Sequence, residues 1–240
     1  MNINQDRRDL LRNSVLLGVA VATPNLSALA QETKGKDSKE PEVTATEDLM
    51  REHGVIRRSL LVYAETVPKL RQNAPSVNPA ALRQTAQLFR TFGEDYHEKM
   101  LEEQHIFPLV CKQGAKLQRY VDVLTAQHAR GREITDYILS VTNAGKISSL
   151  HVEPLAKVFE GFARMYENHA AREDTIVFPA WKTNFTDKQL DEISDQFEDI
   201  EHKMFGKDGF EDAEKKISNI EDLLGLGDLA QFTPPPPPKA

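Results

Sequence analysis

The stretch YHEKMLEEQHIFP (Tyr96–Pro108) returns as YENHAAREDTIVFP (Tyr166–Pro179), each with a histidine, an acidic pair and a Phe-Pro ending in the same order. Working outward, each copy follows a second histidine segment. These are EHGVIRRSLLVY (Glu52–Tyr63) and QHARGREITDYI (Gln127–Ile138), each with an arginine four residues after its histidine, Arg57 and Arg132. The chain therefore reads as one hairpin written twice. Both arms of that hairpin are helical by periodicity, since Leu49, Val55, Ile56, Leu60, Tyr63 and Val67 recur at helical spacing. Pro75 and Pro79 break that run, and Asn78 before Pro79 has the form of an N-cap with proline at the first helical position. A second helix is expected through Leu82, Leu88, Phe89, Phe92 and Tyr96 until Pro108. A third is expected over roughly 116–141, and a fourth from near Pro154 until Pro179. Thr186 with Gln189 three residues on forms a capping box for a shorter fifth helix. The pattern predicts an all-α fold: an up-down-up-down four-helix bundle of two similar hairpins, with a short C-terminal helical extension.

The ends read differently. Arg7 and Arg8 precede a short apolar run from Val15 to Ala22, and Ala28-Leu29-Ala30 offers a small-x-small cleavage site. This resembles a twin-arginine export signal, which implies the twin-arginine machinery as a partner and a periplasmic location after cleavage near Ala30. The expected organisation is a signal (1–30), a flexible charged linker (31–44), the bundle (45–182), the helical extension (183–229) and a proline-rich disordered tail (230–240). With 37 acidic against 30 basic residues the formal charge is −7, which argues against nucleic acid as a partner. No apolar run is long enough for a membrane span, so stable membrane insertion is not expected. The single cysteine, Cys111, excludes an internal disulfide and any thiolate-rich metal site. Chemistry must come from histidines and carboxylates. Nothing resembles an obligate interface, so a monomer or weak oligomer is expected.

Each half supplies a histidine from its first helix, and a histidine plus a glutamate from its second. Positions four apart on a helix share a side, so His169 and Glu173 project together. The aromatic stripe marks that side as inward, and a buried imidazole beside a buried carboxylate is costly unless something neutralises the pair. Four imidazoles and two carboxylates converging in a bundle suit two divalent transition metals, iron or manganese by donor type.

At these residues, over about Glu47–Pro179, the sequence resembles the hemerythrin-like (HHE cation-binding) family. That resemblance implies a four-helix bundle holding two non-haem, oxo- or hydroxo-bridged iron ions, with manganese or zinc also open. The implied ligands are His53, His97, Glu102, His128, His169 and Glu173, the carboxylates bridging and the histidines capping. Two departures stand out. His97 and Glu102 are five apart, which in a regular helix turns them about 140° from each other. A π-bulge inserting Leu101 would restore the alignment. The rival is that Glu98 joins or replaces Glu102, with Glu102 preferred because it aligns with Glu173. The second departure is Leu124, which stands four before His128 where oxygen-carrying hemerythrins have a fifth histidine. That leaves a more open coordination position and favours reactive or sensing chemistry over plain oxygen carriage.

Glu98, His105, Tyr96 and Tyr166 are further candidates as an added ligand or as supporting neighbours. His105 is expected to face inward, the tyrosines to pack in the core, and Arg57 and Arg132 to pair with carboxylates of the neighbouring helix. The expected function is an exported protein whose di-iron centre binds or reacts with dioxygen, nitric oxide or peroxide. It is read as a metal- and small-ligand-binding protein, with at most a weak di-iron oxidoreductase activity. The alternatives are metal storage or delivery without oxygen chemistry and, less in keeping with six aligned histidines and glutamates, a metal-free interaction module.

Overall fold

The computed structural model describes residues 43–238; the segment expected to be an export signal, nearly all of the expected linker and the last two residues lie outside them. Among the described residues the chain is all-helical, with no strand. Helix α1 (Ala45–Asn73) starts on Thr44, whose side chain accepts from the Glu47 N–H, and Glu47 and Asp48 favour the positive end of the helix dipole. Asn78 caps the next helix as its sequence predicts, its side chain accepting from the N–H groups of Ala80 and Ala81. This second rod, α2, is α-helical over Pro79–Leu88, π-helical over Phe89–Ile106 and α-helical again over Phe107–Val110. Helix α3 spans Ala115–Thr142. The fourth rod, α4, is α-helical over Val152–Arg172, π-helical over Glu173–Val177 and α-helical over Phe178–Lys182.

Neither Phe-Pro pair ends its rod, contrary to the expected stops at Pro108 and Pro179. Both prolines fall in the first turn after a π-helical segment. There the N–H of Phe107 reaches back to the Glu102 carbonyl, and that of Phe178 to the Glu173 carbonyl. A proline inside a regular helix clashes with the carbonyl one turn back, and a widened turn gives the ring room. The π geometry also runs much further than a single insertion at Leu101. It occupies eighteen residues of the first hairpin and five of the second.

Helix α1 lies along α4, α2 along α3, and the ring of neighbours closes through α3–α4 and α1–α2 contacts. Buried aromatic rings fill the interior. Tyr63 stacks on Phe159 at 4.5 Å, Phe89 meets Phe162 at 4.9 Å, and Tyr166 carries the cluster on to His169 at 5.1 Å. Each such ring, fully buried, contributes about 2–3 kcal/mol of hydrophobic stabilisation. Gly131 of α3 makes one close approach possible, since a Cβ there would lie 2.2 Å from the Tyr166 hydroxyl oxygen.

Past the bundle the chain forms two helices where the sequence pattern predicts one: α5 (Asp187–Phe205), opened by the expected Thr186–Gln189 capping box, and α6 (Gly209–Leu224). The break is Gly206, left-handed at φ 74°, followed by Asp208 as the α6 N-cap. Both helices pack on α1 and α2. Trp181 at the end of α4 stacks on Phe197 of α5 at 5.9 Å. Arg58 of α1 donates to Ser218 at 2.8 Å and to Glu221 at 3.0 Å on α6. No helix of the described residues is long and apolar enough to cross a membrane.

Candidate metal centre

The echo in the sequence becomes a set of four histidines whose rings all point the same way round. His53, His97, His128 and His169 are buried, and each turns Nδ1 outward to an acceptor and Nε2 inward. The outer partners are Asp174 for His53 (2.7 Å), Glu52 for His97 (2.6 Å), Glu103 for His128 (2.9 Å) and the Gln127 amide oxygen for His169 (2.9 Å). An acceptor at Nδ1 fixes the ring and makes Nε2 the free donor atom for a metal.

Inside the ring of histidines sit Glu102 and Glu173, both fully buried. Glu102 presents Oε1 to His97 Nε2 at 3.4 Å and Oε2 to His128 Nε2 at 3.3 Å. Glu173 presents Oε1 to His169 Nε2 at 2.9 Å and Oε2 to His53 Nε2 at 3.4 Å. Each carboxylate therefore gives one oxygen to the His53/His97 pair and one to the His128/His169 pair. The five-residue spacing between His97 and Glu102 works because the rod is π-helical there, so residues five apart face the same way.

The phenylalanine of each Phe-Pro pair packs on the opposite hairpin's histidine. Phe107 stacks on His128 at 5.5 Å and Phe178 on His53 at 5.4 Å. Asp174 and Glu103, the second acids of the two acidic pairs, also accept from Arg57 and, at 2.8 Å, from Arg132. The expected arginine pairings are thus present, and each ties an arginine and a histidine of one hairpin to an acid of the other.

The charges are strongly coupled. Burial alone pushes the His128 imidazole down, but Glu98, Glu102 and Glu103 outweigh it and raise its pKa to about 10. His97 is likewise held well above its ordinary value, with Glu102 and Glu52 overcoming burial. Burial pushes Glu173 up, and His169 and His53 overcome it to hold the carboxyl well below the usual carboxylate range. Glu103 is lowered to about 2, its burial outweighed by His128 and Arg132. These carboxylates are ionised at neutral pH, and the centre calls for positive charge.

The inner atoms fit a metal. Both oxygens of Glu102, both of Glu173, and His97 Nε2 are buried without a hydrogen-bond partner. Leaving buried polar atoms unsatisfied costs about 1–3 kcal/mol each, a cost that a coordinated cation would offset. Ligand atoms of Glu102, His128, His169 and Glu173 converge within 4.8 Å of one another, as do those of His53, His97 and Glu102. A third convergence, of Glu98, Glu103 and His128, draws on acids already paired with Arg132.

The model of the hemerythrin HHE cation-binding domain matches residues 44–181. The chain belongs to this family. Proteins of Mycobacterium bovis and of two Mycobacterium tuberculosis strains, all named as uncharacterized, are each 42% identical over 234 residues, covering 95% of this chain and 91% of theirs. No solved structure gives a significant match.

Against this HHE site the supporting candidates sort themselves. Glu98 is buried beside the centre, but its oxygens are engaged by the Tyr166 hydroxyl at 2.6 Å and by Arg132 at 3.4 Å. Tyr96 is buried and donates to Glu52 at 3.1 Å, so both tyrosine hydroxyls are committed to carboxylates. His105 does not face inward. It is exposed, its ring against Phe197 of α5, because the inward positions after Glu102 are Ile106 and Phe107. Four residues escaped the sequence reading: Glu52, Glu103, Gln127 and Asp174. Their signal was adjacency, since each is next in sequence to an inner ligand, yet each braces a histidine of another helix.

Proposed function

We propose that this HHE protein holds two iron ions in an up-down-up-down four-helix bundle and binds or reacts with a small ligand: dioxygen, nitric oxide or peroxide. The observation that carries the reading is the division of Glu102 and Glu173, each with one oxygen on either histidine pair. His53 and His97 would hold one ion and His128 and His169 the other, with both carboxylates shared. An imidazole and carboxylate donor set without thiolate suits iron or manganese. Bound iron would supply a redox-active Lewis acid with room for an exogenous ligand. The residues of the chain do the positioning. The Nδ1 acceptors hold each imidazole to one orientation, the Tyr166–Glu98 and Arg132–Glu103 contacts fix the surrounding acids, and Phe107 and Phe178 keep water from the histidine faces.

In this reading residues 1–30 direct export through the twin-arginine route to the periplasm, and lysine at positions 7 and 8 should leave the protein in the cytoplasm on cell fractionation. The central test is metal analysis of the exported protein, with the visible spectrum taken before and after air is admitted. Iron at about two per chain, with a ligand-to-metal charge-transfer absorption growing on oxidation, is the expected result. Zinc, or metal with no spectral response, would sink the redox reading and move the function to metal storage or delivery.

A further inference from the structure

A cleft of about 440 Å³ opens between α3 and α4, with His169 on its wall. It has the size of a small-molecule site. Its body is formed by Tyr120, Val123 and Leu124 of α3, and Leu124 is buried while Val123 is 55% exposed. Lys116 and Arg119 of α3 and Arg172 of α4 stand around it, and among the described residues no aspartate or glutamate lines it. That is a local reversal of sign in a chain of formal charge −7.

The cations are available. Among the described residues Arg172 bonds only to the carbonyl and side chain of Asn168, a neutral partner, and Lys116 and Arg119 form no ion pair. Elsewhere on the molecule Arg58, Arg71 and Arg90 are paired with carboxylates. Three uncompensated cations around apolar walls do not suit a bare inorganic anion, which would leave the walls wet, or a neutral apolar molecule, which would leave the charge unused.

We propose that this cleft binds a small organic monoanion with an apolar body, an aromatic or medium-chain aliphatic carboxylate. Its carboxylate lies among Lys116, Arg119 and Arg172, and its body lies against Tyr120, Val123 and Leu124. The inference stands on the cleft alone and holds whichever metal occupies the centre. Gln127 joins the two sites, since it lines the cleft and its amide oxygen bonds His169 Nδ1.

The test is calorimetric titration of the purified full-length protein with benzoate and with octanoate, benzyl alcohol serving as the neutral control. At least one of the two anions should saturate, weaken with rising ionic strength, and bind more tightly than the alcohol. The charge-reversed pair R119E/R172E, both exposed positions, should lose about tenfold or more in affinity, with its helical circular dichroism unchanged. Val123→Trp, which fills the cleft without touching its charge, should also abolish binding and guards against misreading a misfolded variant. Saturation by neither anion, equal binding by the folded charge-reversed pair, or equal binding of benzyl alcohol would each overturn the proposal. Metal content assayed on the same samples reports the metal reading separately, because the titration registers occupancy of the cleft and not the chemistry of the centre.

Discussion

In the first hairpin Glu52, the residue before His53, braces His97; in the second Gln127, the residue before His128, braces His169. The positions are equivalent, and one carries a charge that the other lacks. The same divergence continues along the second arms. Counting from the histidine, Glu94 answers to Tyr166 and Glu98 to Ala170, so the first hairpin buries two acids where the second has a phenol and a methyl. The outer faces differ too. Helices α5 and α6 pack on α1 and α2, whereas the cleft opens between α3 and α4. A duplicated pattern has thus kept its inner ligands alike and let the surroundings diverge, giving a closed, acid-rich side and an open, cation-rimmed one. Leu124, the position of the missing fifth histidine, lies on the open side.

The sharpest way to break the comparison is at the atoms the halves share. Glu102→Ala or Glu173→Ala should strip both histidine pairs of metal, bringing bound metal from about two per chain to near zero, because each carboxylate serves both pairs. His97→Ala or His169→Ala should cost about one ion, since each histidine serves one pair. Metal analysis after gel filtration reads the difference. Equal losses from the histidine and carboxylate variants would show that the two pairs do not act as separate sites joined by shared acids.

Exchanging the braces tests whether the charge difference matters. Glu52→Gln makes the first hairpin resemble the second, and should weaken metal at the His53/His97 pair by about 10- to 100-fold, as loss of an outer carboxylate on a ligating histidine does. Gln127→Glu should tighten the His128/His169 pair in the opposite sense. Competition against a chelator would resolve two steps moving in opposite directions. A Glu52→Gln protein that holds metal like the parent would mean that hydrogen bonding alone, without charge, sets the affinity.

The helices were legible because apolar spacing and caps are local signals: Asn78-Pro79 and the Thr186–Gln189 box act where they stand. The inner ligands were legible because the duplication marked them twice. The long π-helical stretch was not, since nothing local distinguishes Phe89–Ile106 from an α-helix; only the five-residue step from His97 to Glu102 betrayed it, as a single bulge. The end of α5 was legible in IEHKMFG, where Gly206 caps it, whereas α6 beyond it was legible only as part of a helical extension. The braces were invisible for a different reason. Asp174 meets His53, and Glu103 meets His128, only after the hairpins have packed, so their roles are tertiary. His105 misled because the echo aligned it with Ile176, which is itself only partly buried.

Glu94 gives the smallest and most specific of these effects. Its carboxyl is buried on the first hairpin, takes a hydrogen bond from Thr135 at 2.5 Å and faces Arg90 at 2.9 Å. Burial outweighs the Thr135 bond, and with repulsion from Glu98 it raises the pKa from 4.5 to about 7. An acid raised on folding is stabilising when protonated. Its contribution is fully present below the ordinary pKa of 4.5 and is lost as pH rises through about 7. The whole change is at most about 3 kcal/mol, or roughly 6–12 °C in melting temperature for a chain of this size. Glu94→Gln should therefore melt with a flatter pH profile between 5 and 8 and gain on the parent at the alkaline end. The second hairpin supplies the control, because Tyr166 at the equivalent position has its pKa raised well above 10 by burial and the neighbouring acids, and does not titrate in that window. Parallel profiles for Glu94→Gln and the parent would mean that the buried acid stays ionised against Arg90 throughout, and that the acid-rich side owes its stability to ion pairing.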